Sequence, residues 1–286
     1  KLQKLGIACK MFAPLRPFVS THYNYRDHRK IAVIDGQVAF TGGVNLADEY
    51  INRVVRFGHW KDTAVMLRGE AVRSFTLMFL NMWAIDEHAM EASRFLAYPT
   101  KPAMDAPGFV LPYSDSPVDG NKVGEQVYID IRARRYVHIM TPYLIIDHNM
   151  ETALQYAAER GVDVHLILPG IPDKKYAFAL AHTHYASLMK AGVKISEYTP
   201  GFVHAKVFVA DDREAVVGTI NLDYRSLYHH FECAAYMLDV PCIADIEADF
   251  QHTLKQCRRI TPERLKNDKL SMKVAGALLK AIAPLM

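Results

Sequence analysis

Two octapeptides decide the reading of this chain: HRKIAVID, from His28 to Asp35, and HAKVFVAD, from His204 to Asp211. Both read His-x-Lys-x-x-x-x-Asp, and they stand 176 residues apart. The likeness continues past them. GQVAFTGGVNLADEY follows the first and DREAVVGTINLDYRS the second, so Gly42 aligns with Gly218 and Asn45 with Asn221 without a gap. Two copies are too few for a solenoid, in which three or more short repeats stack. They indicate a duplicated unit, two similar lobes that face each other.

Half of the 286 residues are hydrophobic and 23% are charged, the composition of a globular chain. A net charge of +3 argues against a nucleic-acid binder. Cys9, Cys233, Cys242 and Cys257 are scattered without a CxxC pair, which fits reduced thiols better than a disulfide framework. The most apolar stretch, Phe75 to Ile85, is too short to span a bilayer and contains Asn81. The chain starts at Lys1 with no signal-peptide pattern, and its first residues read as the end of a helix followed by a strand. Only 27 residues precede His28, whereas roughly a hundred separate Pro107 from His204. If the lobes are duplicates, the first is about 70 residues short, and the chain reads as N-terminally truncated.

KIAVID and KVFVAD are short alternating runs, so both motifs are expected on strands, with His and Lys two apart on one face. DGQ and DDRE are turns into the return strands VAFTGG and AVVGT. A strand at 62–67 and a helix at 69–88 complete the first lobe, 1–106. PTKPAMDAPG, 99–108, is the linker candidate. In the second lobe, 107–260, strands alternate with helices. YVHIMTPYLI reads as one strand and CIADIEADFQHTLKQCRRI as one helix. The class is α/β (α+β): two pseudo-twofold-related lobes, each a mixed β-sheet flanked by helices, with the active site at their interface.

A lone histidine on a half-buried strand is usually structural. Two histidines in matching settings, each with a lysine and each followed by a Gly-containing turn and an asparagine, describe an anion-handling site. Lys30, Lys206, Asn45 and Asn221 suit a phosphoryl group whose oxygens gain charge in the transition state. One imidazole can attack phosphorus while the other protonates the leaving group and later deprotonates an incoming hydroxyl. A metal is not expected. The motif partner is lysine, and His182 and His184, two apart on a helix, do not share a face.

The doubled motif, with NYRDHRKIAVIDGQVAFTGGVNLADEY, GHWKDTAVMLRGEAV, TPYLIIDHNM and HAKVFVADDREAVVGTINLDYRSL, resembles the phospholipase D superfamily, and within it the bacterial cardiolipin synthases. The resemblance implies that His28 and His204 meet at the lobe interface. It also implies a carboxylate behind each histidine. Asp62, 34 residues after His28, and Glu232, 28 after His204, stand where the family has these acids, but which acid serves which histidine stays open. Asp35 and Asp211 complete the catalytic motifs and read as strand-end turn residues. The implied reaction is transfer of a phosphatidyl group between two phosphatidylglycerol molecules, giving cardiolipin through a phospho-histidine, with no cofactor and no metal. The alternative is a hydrolytic phospholipase D. Phosphatidylglycerol and an anionic membrane surface, at the cytoplasmic face of the cell membrane, are the implied partners, and nucleic acid is not. The C-terminal segment, 261–286, supports a membrane partner. As one helix, it brings Lys266, Lys269, Lys273 and Lys280 within an arc of about 60° beside apolar residues.

Overall fold

The computed structural model describes residues 1–12, 25–86, 92–97, 106–118, 122–130 and 132–285. Most of the linker candidate lies outside them. A nine-stranded mixed sheet organises the chain. Its strands run in the order His230–Leu238, Glu214–Gly218, Val207–Ala210, Tyr136–Met140, Asp163–Pro169, Lys194–Tyr198 and Cys257–Arg259. His230–Leu238 has two further partners end to end. Phe109–Asp115 runs antiparallel along residues 232–238, and Arg26–Asp27 runs parallel along His230 and Phe231.

The central strands read as nearly unbroken apolar runs because both faces of the sheet are covered. Tyr128, Met150, Leu154, Tyr185 and Leu188, from the helices Val123–Asp130, His148–Glu159 and Lys175–Lys190, pack with Ile139, Leu166 and Phe208. Ile243, Ile246 and Phe250, from the helix Cys242–Leu254, pack with Met140, Ile167 and Val209. The Asp147 side chain caps the second of these helices by accepting the Met150 N–H at 2.9 Å.

The first motif hairpin belongs to a separate sheet of Ile31–Ile34, Val38–Gly42 and Ala64–Arg68. Helix Ala71–Trp83 closes it, with Val72 and Phe75 packed among Ala39, Leu67, Cys233 and Ala235. This sheet is wholly antiparallel, not mixed as expected, because these strands are joined by a hairpin and a return loop with no helical crossover.

Other local expectations change for physical reasons. His28 and Lys30 precede their strand, which begins at Ile31, as His204 and Lys206 precede Val207. The backbone of each motif histidine is paired elsewhere. The strand expected at 136–145 divides into Tyr136–Met140 and Leu144–Ile145, separated by Pro142, which has no N–H to offer a ladder. The helix expected through 260 stops at Leu254, and Cys257–Arg259 forms the sheet's edge by pairing with residues 196–198. At the start, Gln3–Leu5 is a single 3₁₀ turn closed by Gly6 at φ 75°, and no strand follows it through residue 12.

Candidate active site

Two short parallel ladders at the lobe junction build the site. Arg26 and Asp27 pair with His230 and Phe231, and the next backbone bond is the His28 N–H to Phe231 O at 2.9 Å. Gly201–Val203 pair in the same sense with His59–Lys61, and the next bond is the His204 N–H to Lys61 O at 2.7 Å. Each motif histidine is thus held by main chain of the other lobe. The residue after each accepting carbonyl is an acid: Glu232 after Phe231, and Asp62 after Lys61. Residues opposite each other in a ladder carry their side chains to one face, so histidine and acid meet.

The pairing is crossed. His28 Nδ1 lies 2.9 and 3.0 Å from the two Glu232 oxygens, and His204 Nδ1 lies 2.8 Å from Asp62 Oδ2. Burial alone would raise the Glu232 carboxyl. The neighbouring His28 and the hydrogen bonds of His230, His28 and Thr219 override it, lowering the pKa to about 2. Burial opposes ionisation of Asp62 too, yet the His204 hydrogen bond and the Lys206 charge keep its pKa below the ordinary value. An ionised carboxylate only accepts, so Nδ1 of each ring carries hydrogen and Nε2 keeps its lone pair.

Both imidazoles are held neutral. Burial, helped by Lys206, lowers His204 to about 3 against the pull of Asp62. His28 is lowered chiefly by burial, with Glu232 opposing and Lys30 and Lys206 adding. Lys30 and Lys206 each act on both histidines, so the two motifs share one electrostatic site. Lys206 is buried and pushed down to about 7, and Lys30 is lowered by the same desolvation. Lys30 Nζ donates to the His28 carbonyl at 2.6 Å, and Lys206 Nζ likewise donates to the His204 carbonyl.

Asn45 donates to the Tyr50 hydroxyl at 2.5 Å. Asn221 is buried with its Oδ1 unpartnered. Asp35 and Asp211 lie at the other ends of the motif strands, with φ 53° and 56°. The Asp211 carboxylate accepts the backbone N–H groups of Arg134, Arg135 and Tyr136 at 2.6–2.9 Å. The turn role expected of both suits this geometry. His182 and His184 face different partners, Asp268 and Glu151.

Four features escaped sequence reasoning. Thr219 donates to Glu232 Oε2. At the aligned position stands Gly43, where an added Cβ would lie 2.1 Å from Asp62 Oδ1. The shorter acid thus needs an empty position, and the longer one takes a hydroxyl donor. Trp60 and Tyr50 wall the His204 ring, each with its centroid 5.2 Å away. His230, with Nδ1 3.6 Å from Glu232 Oε1, is a third imidazole beside His28. The Gly-Gly and Gly-Thr mismatch was the visible signal for the first pair.

His28, His230 and Glu232 offer ligand atoms within 4.8 Å of one another, a donor set that zinc would accept. Yet His28 and Glu232 are bonded to each other, Thr219 occupies a further Glu232 lone pair, and two lysines place positive charge nearby. Two of the three donors, His28 and Glu232, are engaged in the dyad, and with the lysines beside them the set does not fit a resident metal.

Residues 130–254 match the family described as cardiolipin synthase, PLD-like domain. The whole chain is 63% identical to an uncharacterized protein of Streptococcus mutans and 36% identical to a cardiolipin synthase of Geobacillus kaustophilus. It spans 62% and 58% of their respective lengths. The fold is shared with a phosphatidylserine synthase of Haemophilus influenzae, at TM-score 0.65 and 14% identity, over 91% of this chain and 69% of that one. Over residues 130–254 the chain is thus similar to the phospholipase D-like domain of the cardiolipin synthase type.

Proposed function

We propose that the protein transfers a phosphatidyl group from one phosphatidylglycerol to another, giving cardiolipin and glycerol. The observation that carries this reading is the pair of crossed histidine–carboxylate dyads sharing two lysines. His28 is the nucleophile. Its side chain is 24% exposed against 9% for His204, and its ring is neutral. Nε2 attacks phosphorus, the bond from phosphorus to the glycerol oxygen breaks, and His204 delivers a proton to that oxygen. Lys30, Lys206, Asn45 and Asn221 receive the charge that builds on the phosphoryl oxygens. The hydroxyl of a second phosphatidylglycerol then gives its proton to His204 and displaces His28 from phosphorus.

Before substrate binds, His204 holds no proton at neutral pH. A bound phosphodiester anion offsets the lysines that depress it and favours the imidazolium. Glu232 and Asp62 fix the ring orientation and stabilise the charged forms, as the third member of a catalytic triad does. The relatives named cardiolipin synthases support the choice of substrate.

The test is mass spectrometry of products after incubation with phosphatidylglycerol vesicles. Cardiolipin with released glycerol is expected. Phosphatidic acid as the sole product would replace transfer by hydrolysis, with water in the acceptor's place.

A further inference from the structure

The chain after Thr261 folds as two helices, Pro262–Lys266 and Leu270–Ile282, with a break at 267–269, not as the single helix its spacing predicts. The longer helix seats one face on Lys175–Lys190. At Gly276 an added Cβ would lie 2.6 Å from Ala179 O, so this approach needs glycine. Its far end is anchored on the second lobe near the turn at 225–229. Ala283 is buried with Ile145, Ala177 and Leu180, and the Pro284 carbonyl lies 3.2 Å from His229 Nε2. His229 ends the π-helical turn that leads directly into the strand bearing Glu232.

The opposite face is apolar and open. Leu270, Val274, Leu278 and Ile282 recur every fourth residue and are 76%, 50%, 70% and 48% exposed. Four-residue steps advance about 40° on an α-helix, so these side chains form one continuous stripe. Lys273 and Lys280, both exposed, lie together on one flank of it. The same helix bounds a groove of about 640 Å³, lined by Met189, Leu265 and Met272 together with Lys190, Lys266 and Lys273. No helix among the described residues is long and apolar enough to cross a membrane. Thirteen helical residues reach about 20 Å, short of the roughly 30 Å hydrocarbon core.

We propose that this stripe docks the protein on an anionic phospholipid leaflet. The helix lies in the plane of the surface, with Leu270, Val274, Leu278 and Ile282 among the acyl chains and Lys273 and Lys280 against the phosphates. Apolar area and cationic flank are the two ingredients of interfacial helix binding. A lysine side chain can bury its stem and keep its ammonium at headgroup level. Because the helix ends at the turn that leads into the strand bearing Glu232, docking presents the site to the layer that holds its substrate. The choice of a lipid surface over another partner rests on the phosphatidyl-transfer reading.

The test is co-sedimentation with vesicles of phosphatidylglycerol and phosphatidylcholine, or of phosphatidylcholine alone. It is run on the parent chain, Val274→Asp/Leu278→Asp and Lys273→Glu/Lys280→Glu. Light scattering gives the mass of each protein without lipid. Turnover of a short-chain, monomeric phosphatidylglycerol is measured in parallel. Binding to the anionic vesicles is expected to exceed binding to neutral ones by about tenfold or more, to weaken with salt, and to fall about tenfold in each variant. Short-chain turnover and melting temperature are expected to stay unchanged. Undiminished binding by both variants, equal binding to neutral vesicles, or a parent dimer that the aspartates disperse would overturn the proposal. Binding needs no turnover, so vesicle binding with no product from any phosphatidylglycerol would refute the reaction and leave the docking surface standing.

Discussion

Around the second hairpin, Val207–Ala210 lies in the middle of the nine-stranded sheet with every residue buried, whereas Ile31–Ile34 is the edge of a three-stranded sheet and alternates between half-buried and exposed. The motif side chains are the same, and the layers around them are not. Lys206 is 1% exposed and lowered to about 7, and His204 is lowered to about 3 behind Trp60 and Tyr50. Lys30 and His28 shift in the same direction but lie nearer the surface. One pattern of residues thus yields a more open imidazole and a more enclosed one, the difference on which the proposed division of roles rests. The carboxylates repeat the lesson, since Asp62 fits because Gly43 is empty and Glu232 is steadied by Thr219.

The largest effects should come from removing the two histidines, and they should differ in kind. Either alanine is expected to lower turnover by about 10⁴-fold or more. His204→Ala keeps the nucleophile, so an activated phosphatidyl ester should leave an adduct on His28. His28→Ala should leave none. Peptide mass spectrometry reads this directly, and an adduct on His204 in the His28 variant would reverse the roles.

Next come the acids and the positions behind them. Asp62→Asn and Glu232→Gln are expected to reduce kcat by about 10²-fold or more, since each removes the acceptor that fixes a ring. Gly43→Ala should approach Asp62→Asn, because its methyl displaces the carboxylate, whereas Thr219→Ala should cost far less. Equal kinetics for Gly43→Ala and the parent would show that the Gly–Thr difference is incidental.

Acidity separates the hairpins more gently. Before substrate binds, the Lys206 ammonium is lost as pH rises through about 7, so KM for an anionic substrate should climb above that point, approaching tenfold per pH unit. Lys206→Arg should flatten the rise, because guanidinium stays charged. Stability moves the other way. His204 titrates near 3 when folded and near its ordinary 6.5 when unfolded, so the unfolded chain binds the extra proton between those values. The contribution of His204 is complete above pH 6.5 and declines as pH falls toward 3, by about 1.4 kcal/mol per unit, visible in denaturant midpoints. The smallest effect expected is none: EDTA should leave turnover unchanged, because lysine and asparagine take the charge. Loss of activity restored by Zn²⁺ would assign His28, His230 and Glu232 to a metal after all.

The repeat made the motif residues and the α/β layering legible, because each depends on spacing within a few dozen residues, and the family resemblance pointed to the two acids. The crossing of the dyads did not show. It arises where Arg26 and Asp27 pair with His230 and Phe231, a contact across some two hundred residues that no local pattern encodes. His230 was invisible for the same reason. It reaches the site only because its strand takes Arg26–Asp27 as an extra edge partner. The C-terminal lysines shared an arc on paper that the break at 267–269 divides between two helices.

The crossed dyads carry a consequence for symmetry. One lobe alone owns a histidine and an acid that bond not each other but a counterpart across the junction. A solitary lobe would be chemically mute, whereas two copies meeting face to face about a twofold axis would complete both dyads in one encounter, the self-complementary contact of an isologous pair. Joining the copies in one chain frees the halves to diverge. That freedom is visible where glycine faces aspartate on one side and threonine faces glutamate on the other.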